Sequence, residues 1–130
     1  MITMATPTDT SHTVDFDAAV YMRLLSSYKQ SSDAQPGQRW LLLEALHVLG
    51  QTRFYPHLET HVLMLGLGWR TRNWAEVRGQ IVRLLLVPLG HALGRLPLGN
   101  SGRSNISAFQ PMPVRQDIAD AINRARGSGR

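Results

Sequence analysis

The chain contains no cysteine. A disulfide framework, a thiolate metal site and a cysteine nucleophile are therefore excluded, and a reducing cytoplasm is the expected location. Lysine is nearly absent too. Lys29 is the only one, so the formal net charge of +5 rests on arginine. The arginines are scattered, with no basic run carrying interleaved aromatics, so nucleic acid is not the expected partner. Long apolar runs are also missing. The greasiest stretch, residues 81–98, is interrupted by Arg83, Pro88, His91 and Arg95, whereas a spanning helix needs roughly 20 mainly apolar residues. Residues 1–14 are rich in Thr, Ser and Asp and lack the basic and apolar regions of a signal peptide.

Familiar catalytic patterns are absent as well. No serine sits in a nucleophile-elbow context, and no helix pairs its carboxylates at a useful spacing. The run His57-Leu58-Glu59-Thr60-His61 places its glutamate one position too late for a zincin motif.

What is present suits one helical domain. With 130 residues and 43% hydrophobic content, the chain can bury a core without staples. The reading is all-α: two stacked helical hairpins, four main helices in all, then a long C-terminal loop and a short terminal helix. Residues 1–13 read as a disordered tail, 14–126 as the domain and 127–130 as a second tail. Phe16, Val20, Tyr21, Leu24, Leu25 and Tyr28 recur at helical spacing and predict a helix over residues 15–30. Pro36 can open a second helix, residues 38–49, with Gly50 as its left-handed stop. Pro56 suits the start of a third helix reaching Arg70 or Thr71. Asn73 and Glu76 form a capping-box pattern for a fourth. On that helix Trp74, Val77, Ile81, Leu84, Leu85 and Pro88 share one face, Glu76, Gln80 and Arg83 lie opposite, and Pro88 is expected to kink or end it, although a short turn can continue through His91. A weakly apolar helix over residues 114–125 is expected to dock on the surface or fray. The stretches 18–49 and 61–89 form a faint, tetratricopeptide-like repeat with an incomplete signature.

Histidines give the strongest functional lead. At 100° per residue, His57 and His61 fall on the side of the third helix away from Glu59 and Arg70. Two imidazoles one turn apart can share a metal ion. Across the short antiparallel link His47 comes level with His57, and Glu44 lies one turn back from His47. Glu44, His47, His57 and His61 then form a four-donor candidate for zinc, iron or manganese, with Zn or Fe expected first and His91 as an extra ligand. The plainer alternative stays open. Trp40, Glu44, His47 and Gln51 form the second helix's only polar stripe, which can simply face water, and His57 and His61 can be ordinary core histidines.

A second lead is the loop over residues 94–105. Glycines and Asn100 permit a backbone anion nest, to which Arg95 and Arg103 add charge. It is no P-loop, because Asn100 stands where the lysine belongs. Tight turns with arginines covering helix ends explain the loop equally well. A third lead is a protein-partner surface at Trp69 and Trp74 or along the strip from Phe109 to Pro113.

The run from Trp40 to Ile118 resembles the bacterial domain-of-unknown-function 3703 family. The resemblance is carried by Leu43-Glu44-Ala45-Leu46-His47, Gly50-Gln51, Pro56-His57 with His61, Met64-Leu65, Gly68-Trp69-Arg70 and Trp74 to Gln80. It continues through Pro88-Leu89-Gly90-His91, Gly94 to Asn100, Gly102-Arg103 and Pro111-Met112-Pro113. It implies a small helical bacterial protein and carries no established activity. It also implies that the histidines and the glycine-arginine loop belong to one pattern. Three functions follow as expectations: a metal-binding protein, a non-enzymatic interaction module, and an anion or nucleotide binder. Whether the chain is an enzyme is left open.

Overall fold

A computed structural model describes residues 14–108 and 110–127. The expected N-terminal tail, residues 128–130 and Phe109 lie outside the described residues. Five helices follow in order, with no strand among the described residues: α1 Ala18–Gln30, α2 Pro36–Gly50, α3 Phe54–Arg70, α4 Trp74–Leu93 and α5 Gln116–Gly127. The all-α expectation is met. α1 packs against α2, α2 against α3, and α3 against α4, while α5 closes onto α2 and α1.

Local chemistry sets most of the boundaries. The Asp17 carboxylate accepts from the backbone N–H of Ala19 and Val20 at 3.0 and 3.2 Å, satisfying donors that a helix start leaves free. Asn73 caps α4 by accepting from the Glu76 N–H at 3.2 Å. Pro36 opens α2, where its missing N–H costs nothing. α3 begins two residues before Pro56, which therefore lies within the first turn. Gly50 ends α2 as a helical residue rather than in the left-handed conformation, and Gln51 beyond it is still right-handed. The glycine is required for another reason. A β-carbon there would approach Pro56 Cβ to 2.9 Å, so the tight α2–α3 hairpin depends on its absence.

α2 is the central helix and is buried nearly all round. Leu43, Ala45, Leu46 and Leu49 have no exposed surface. They pack with Val20, Leu24 and Leu25 of α1, Met64 and Leu67 of α3, and Ile118 and Ile122 of α5. Each such large side chain contributes roughly 1.5–3 kcal/mol by leaving water. α5 thus neither frays nor rests on the surface. It starts two residues later than expected and runs two residues further, to Gly127, because Ile118, Ala121 and Ile122 enter the core.

Two further expectations are corrected. α4 does not stop at Pro88 but continues to Leu93. Pro88 is on the exposed side, where a carbonyl deprived of its helical donor can bond to water. The orientation of α4 is also opposite to the one its apolar stripe suggests. Glu76, Gln80 and Arg83 are buried together with Val77 and Val87, while Trp74, Ile81 and Leu85 are exposed. The buried polar groups are tolerated because the loop after α4 folds back and satisfies them.

Candidate metal centre

α2 ends, α3 begins and α4 passes alongside at one place, and each brings histidine there. His47, His57 and His61 are all buried. One ring nitrogen from each lies within 4.8 Å of the others. Nε2 of His47 and Nε2 of His57 are 3.1 Å apart, and the three ring centroids are separated by 4.8 to 5.0 Å. His91 of α4 joins from the outer side, its Nε2 lying 2.9 Å from Nδ1 of His57.

The neighbours fix two of the tautomers. Nδ1 of His47 lies 2.7 Å from the Asn100 carbonyl oxygen. Nδ1 of His61 lies 2.7 Å from Oε1 of Gln80. Both partners are acceptors, so each Nδ1 carries the proton and donates. Each Nε2 is then left with a free lone pair, as a metal ligand requires. Gln80 is itself held: its Nε2 donates to the Gly102 carbonyl and to Glu76 at 2.9 and 2.8 Å.

Electrostatics keep the trio neutral. Burial, then the neighbouring imidazoles His61 and His57, push His47 well below the usual histidine range. Burial, then the neighbouring His61 and His91, take His57 down to about 3. Burial takes His61 down to about 4, partly opposed by its bond to Gln80. Neutral imidazole is the metal-binding form.

Glu44 does not join the histidines. Its carboxylate is bonded by Arg103 at 3.4 Å and by Arg115 at 2.5 Å. Burial raises its pKa against the pull of both arginines. Neither Glu44 nor His47 faces water, with 3% and 1% exposure. The polar stripe of α2 is covered by the loop after α4 and the approach to α5.

That loop is the support the sequence left unplaced. Asn100 is buried; its side-chain NH₂ donates to the carbonyls of Ser107 and Gln110, and its oxygen accepts from the Gly102 N–H. Gln51 grips the loop through the Pro97 carbonyl and the Gly99 N–H. Arg103 pairs with Glu44 and Glu76 and lies 3.8 Å over the Trp40 ring. Ser104 donates twice to Glu76. Of the three anion-binding candidates, Asn100 and Arg103 are engaged in holding the loop, and Arg95 alone is exposed. Trp69 and Trp74 lie away from this site, edge to face at 5.2 Å and 62% and 50% exposed. Gln80 and Arg83 were hidden from sequence reasoning by the apparent polar face of α4. The available signal was the succession Glu76, Gln80 and Arg83, which puts all three on one face of the helix.

A cavity of about 560 Å³ opens above the histidines. Its lining includes Leu86, Val87, Leu93, Leu96 and Pro97, together with Arg83 and Arg95. An all-helical protein with a buried, neutral histidine trio at the inner end of an apolar cavity is the class that fold and site define. The chain belongs to the DUF3703 family, described as a protein of unknown function, whose model matches residues 16–122. Neither the curated proteins nor the solved structures gave a significant match.

Proposed function

We propose that the protein binds one divalent first-row transition metal, zinc or iron, through His47, His57 and His61. The observation that carries the reading is the convergence of three buried imidazoles to within 4.8 Å, two of them oriented by hydrogen bonds on their far nitrogens. Metal–nitrogen bonds of about 2.0–2.1 Å in tetrahedral geometry place ligand nitrogens roughly 3.3 Å apart. The His47–His57 pair, at 3.1 Å, is close to that spacing. Three protein ligands leave the fourth position open toward the cavity, which distinguishes a reactive or ligand-binding site from a closed structural one.

His91 has a distinct part. Without metal, Nε2 of His47 accepts a hydrogen bond from the Nε2–H of His57, whose Nδ1 accepts one from the Nε2–H of His91. When His57 turns its Nε2 lone pair to a metal, its proton moves to Nδ1 and is donated to Nε2 of His91. His91 then carries its own proton on Nδ1. The pair exchanges tautomers with no net gain or loss of protons.

Elemental analysis of protein from metal-replete medium, with calorimetric titration of Zn²⁺ into the metal-free chain, tests the reading. One equivalent bound, with a rise in melting temperature, is expected. No metal in the purified protein and unchanged melting on adding Zn²⁺ or Fe²⁺ would sink it.

A second reading is self-association through the outer face of α4. Trp74, Ile81, Val82, Leu85 and Leu89 are each about half exposed or more and lie on one helical face beside Trp69. Together they offer on the order of 600 Å² of apolar surface, near the ~800 Å² that each partner contributes to a standard interface. A second copy of the chain is the proposed occupant. A monomer by sedimentation at tens of micromolar would refute it.

A further inference from the structure

We infer that the cavity above the histidines takes a small carboxylate with an apolar tail, its carboxylate on the metal and its tail along α4 and the loop. The inference rests on the metal reading and deepens it. Three observations carry it.

The first is charge. All three metal ligands are neutral imidazoles, so the ion keeps its full double charge in a site that excludes water on most sides. Among the described residues no carboxylate lines the cavity. The charged side chains that line it are cationic, Arg83 and Arg95. Arg83 is buried against the cavity, and its guanidinium donates to three backbone carbonyls, those of Gly79, Arg103 and Ile106. It makes no ion pair among the described residues. Glu76, reached from His61 through Gln80, offsets part of the metal's charge from behind the ligands, but on the cavity side an ion of charge two beside a buried guanidinium favours an anion that enters as a ligand.

The second is shape. The volume is in the range of small-molecule sites, roughly 300–1,000 Å³. The cavity runs from the buried histidines to Leu93 and Arg95, which are exposed. A ligand that enters past Leu93 reaches the histidines head first.

The third is the wall. Leu86, Val87, Leu96, Pro97 and Ala108 present hydrocarbon between the two ends. A tail laid along them leaves water and gains about 0.8 kcal/mol per methylene, about a fourfold tightening for each. An inorganic anion would use the metal and leave this wall unused.

The test uses the full chain loaded with Co²⁺, whose visible spectrum reports its ligands. Acetate, butyrate, octanoate and octanamide are titrated against the loaded and the metal-free protein. Octanoate is expected to change the cobalt spectrum and to bind at least about 100-fold tighter than acetate, with butyrate between them and octanamide silent. Failure of the chain to take up Co²⁺ removes the metal reading and this inference with it. Uptake of Co²⁺ with octanoate no tighter than acetate, or no tighter than octanamide, overturns the ligand alone. Equal binding of octanoate to the metal-free protein also overturns it, because the head would then not be on the ion.

Discussion

Gly102 lies flat against the imidazole of His47: a β-carbon on Gly102 would fall 2.7 Å from Cδ2 and 2.8 Å from Cγ of the ring. Its φ of +85° is itself a conformation that favours glycine. The loop thus holds one proposed ligand from two sides, with the Asn100 carbonyl on Nδ1 and the Gly102 backbone on the ring face. Gly102→Ala is expected to push His47 out of register. Zinc affinity should fall at least about tenfold, as it does when support for a metal ligand is lost, and stability by about 1–3 kcal/mol. Calorimetric zinc titration and denaturant unfolding read the two effects separately.

Among the described residues His91 reaches the trio through His57, by the bond to Nδ1 and by ring contact, and is partly exposed. His91→Ala should leave the fold intact, while zinc binds about 10- to 100-fold more weakly. His57→Ala should remove a ligand outright and abolish stoichiometric binding. Equal zinc affinity in wild type and His91→Ala would show that His91 does not position His57.

The neutral trio gives the metal-free protein an acid-sensitive stability. His57 and His61 titrate at about 3 and about 4 in the fold, against about 6.5 in an unfolded chain. Above pH 6.5 both states are neutral and nothing is lost. As pH falls below 6.5 the unfolded chain takes up protons that the fold refuses. Stability then declines by about 1.4 kcal/mol per pH unit for each histidine, levelling off once the folded rings protonate. For His61, Arg83 opposes protonation and Glu76 favours it. Urea unfolding from pH 7.5 to 4.5 should show this decline, and replacing His61 with Gln should make it shallower.

Glu44 separates structure from metal binding. Its partners Arg103 and Arg115 tie the loop and the residues before α5 to α2. Glu44→Ala should cost about 1–3 kcal/mol, below the full cost of breaking a buried pair because half of the Arg115 side chain is exposed. The stoichiometry of zinc binding should stay at one. Loss of zinc binding in a variant that remains folded would restore Glu44 as a ligand.

Much of the fold was legible because it depends on short-range chemistry. The cap at Asn73, the proline opening α2 and the apolar period of α1 each act within a few residues of chain. The inward direction of His57 and His61 was legible for the same reason, since one helix wheel contains it. The face of α4 was misread because a wheel ranks hydrophobicity and cannot see a partner. Gln80 and Arg83 are buried only because Gly102, Arg103 and Ile106 lend them carbonyls.

The sequence by itself determined the helices, the short link that brings His47 level with His57, and the absence of any sulfur ligand. Only the tertiary structure decided which groups share the site. It drew Glu44 away to two arginines, brought His91 and Gln80 in from α4, and laid Gly102 on His47. Those contacts join residues some 20 to 70 positions apart, where hydrogen-bond satisfaction across packed elements, and not local periodicity, sets what touches what.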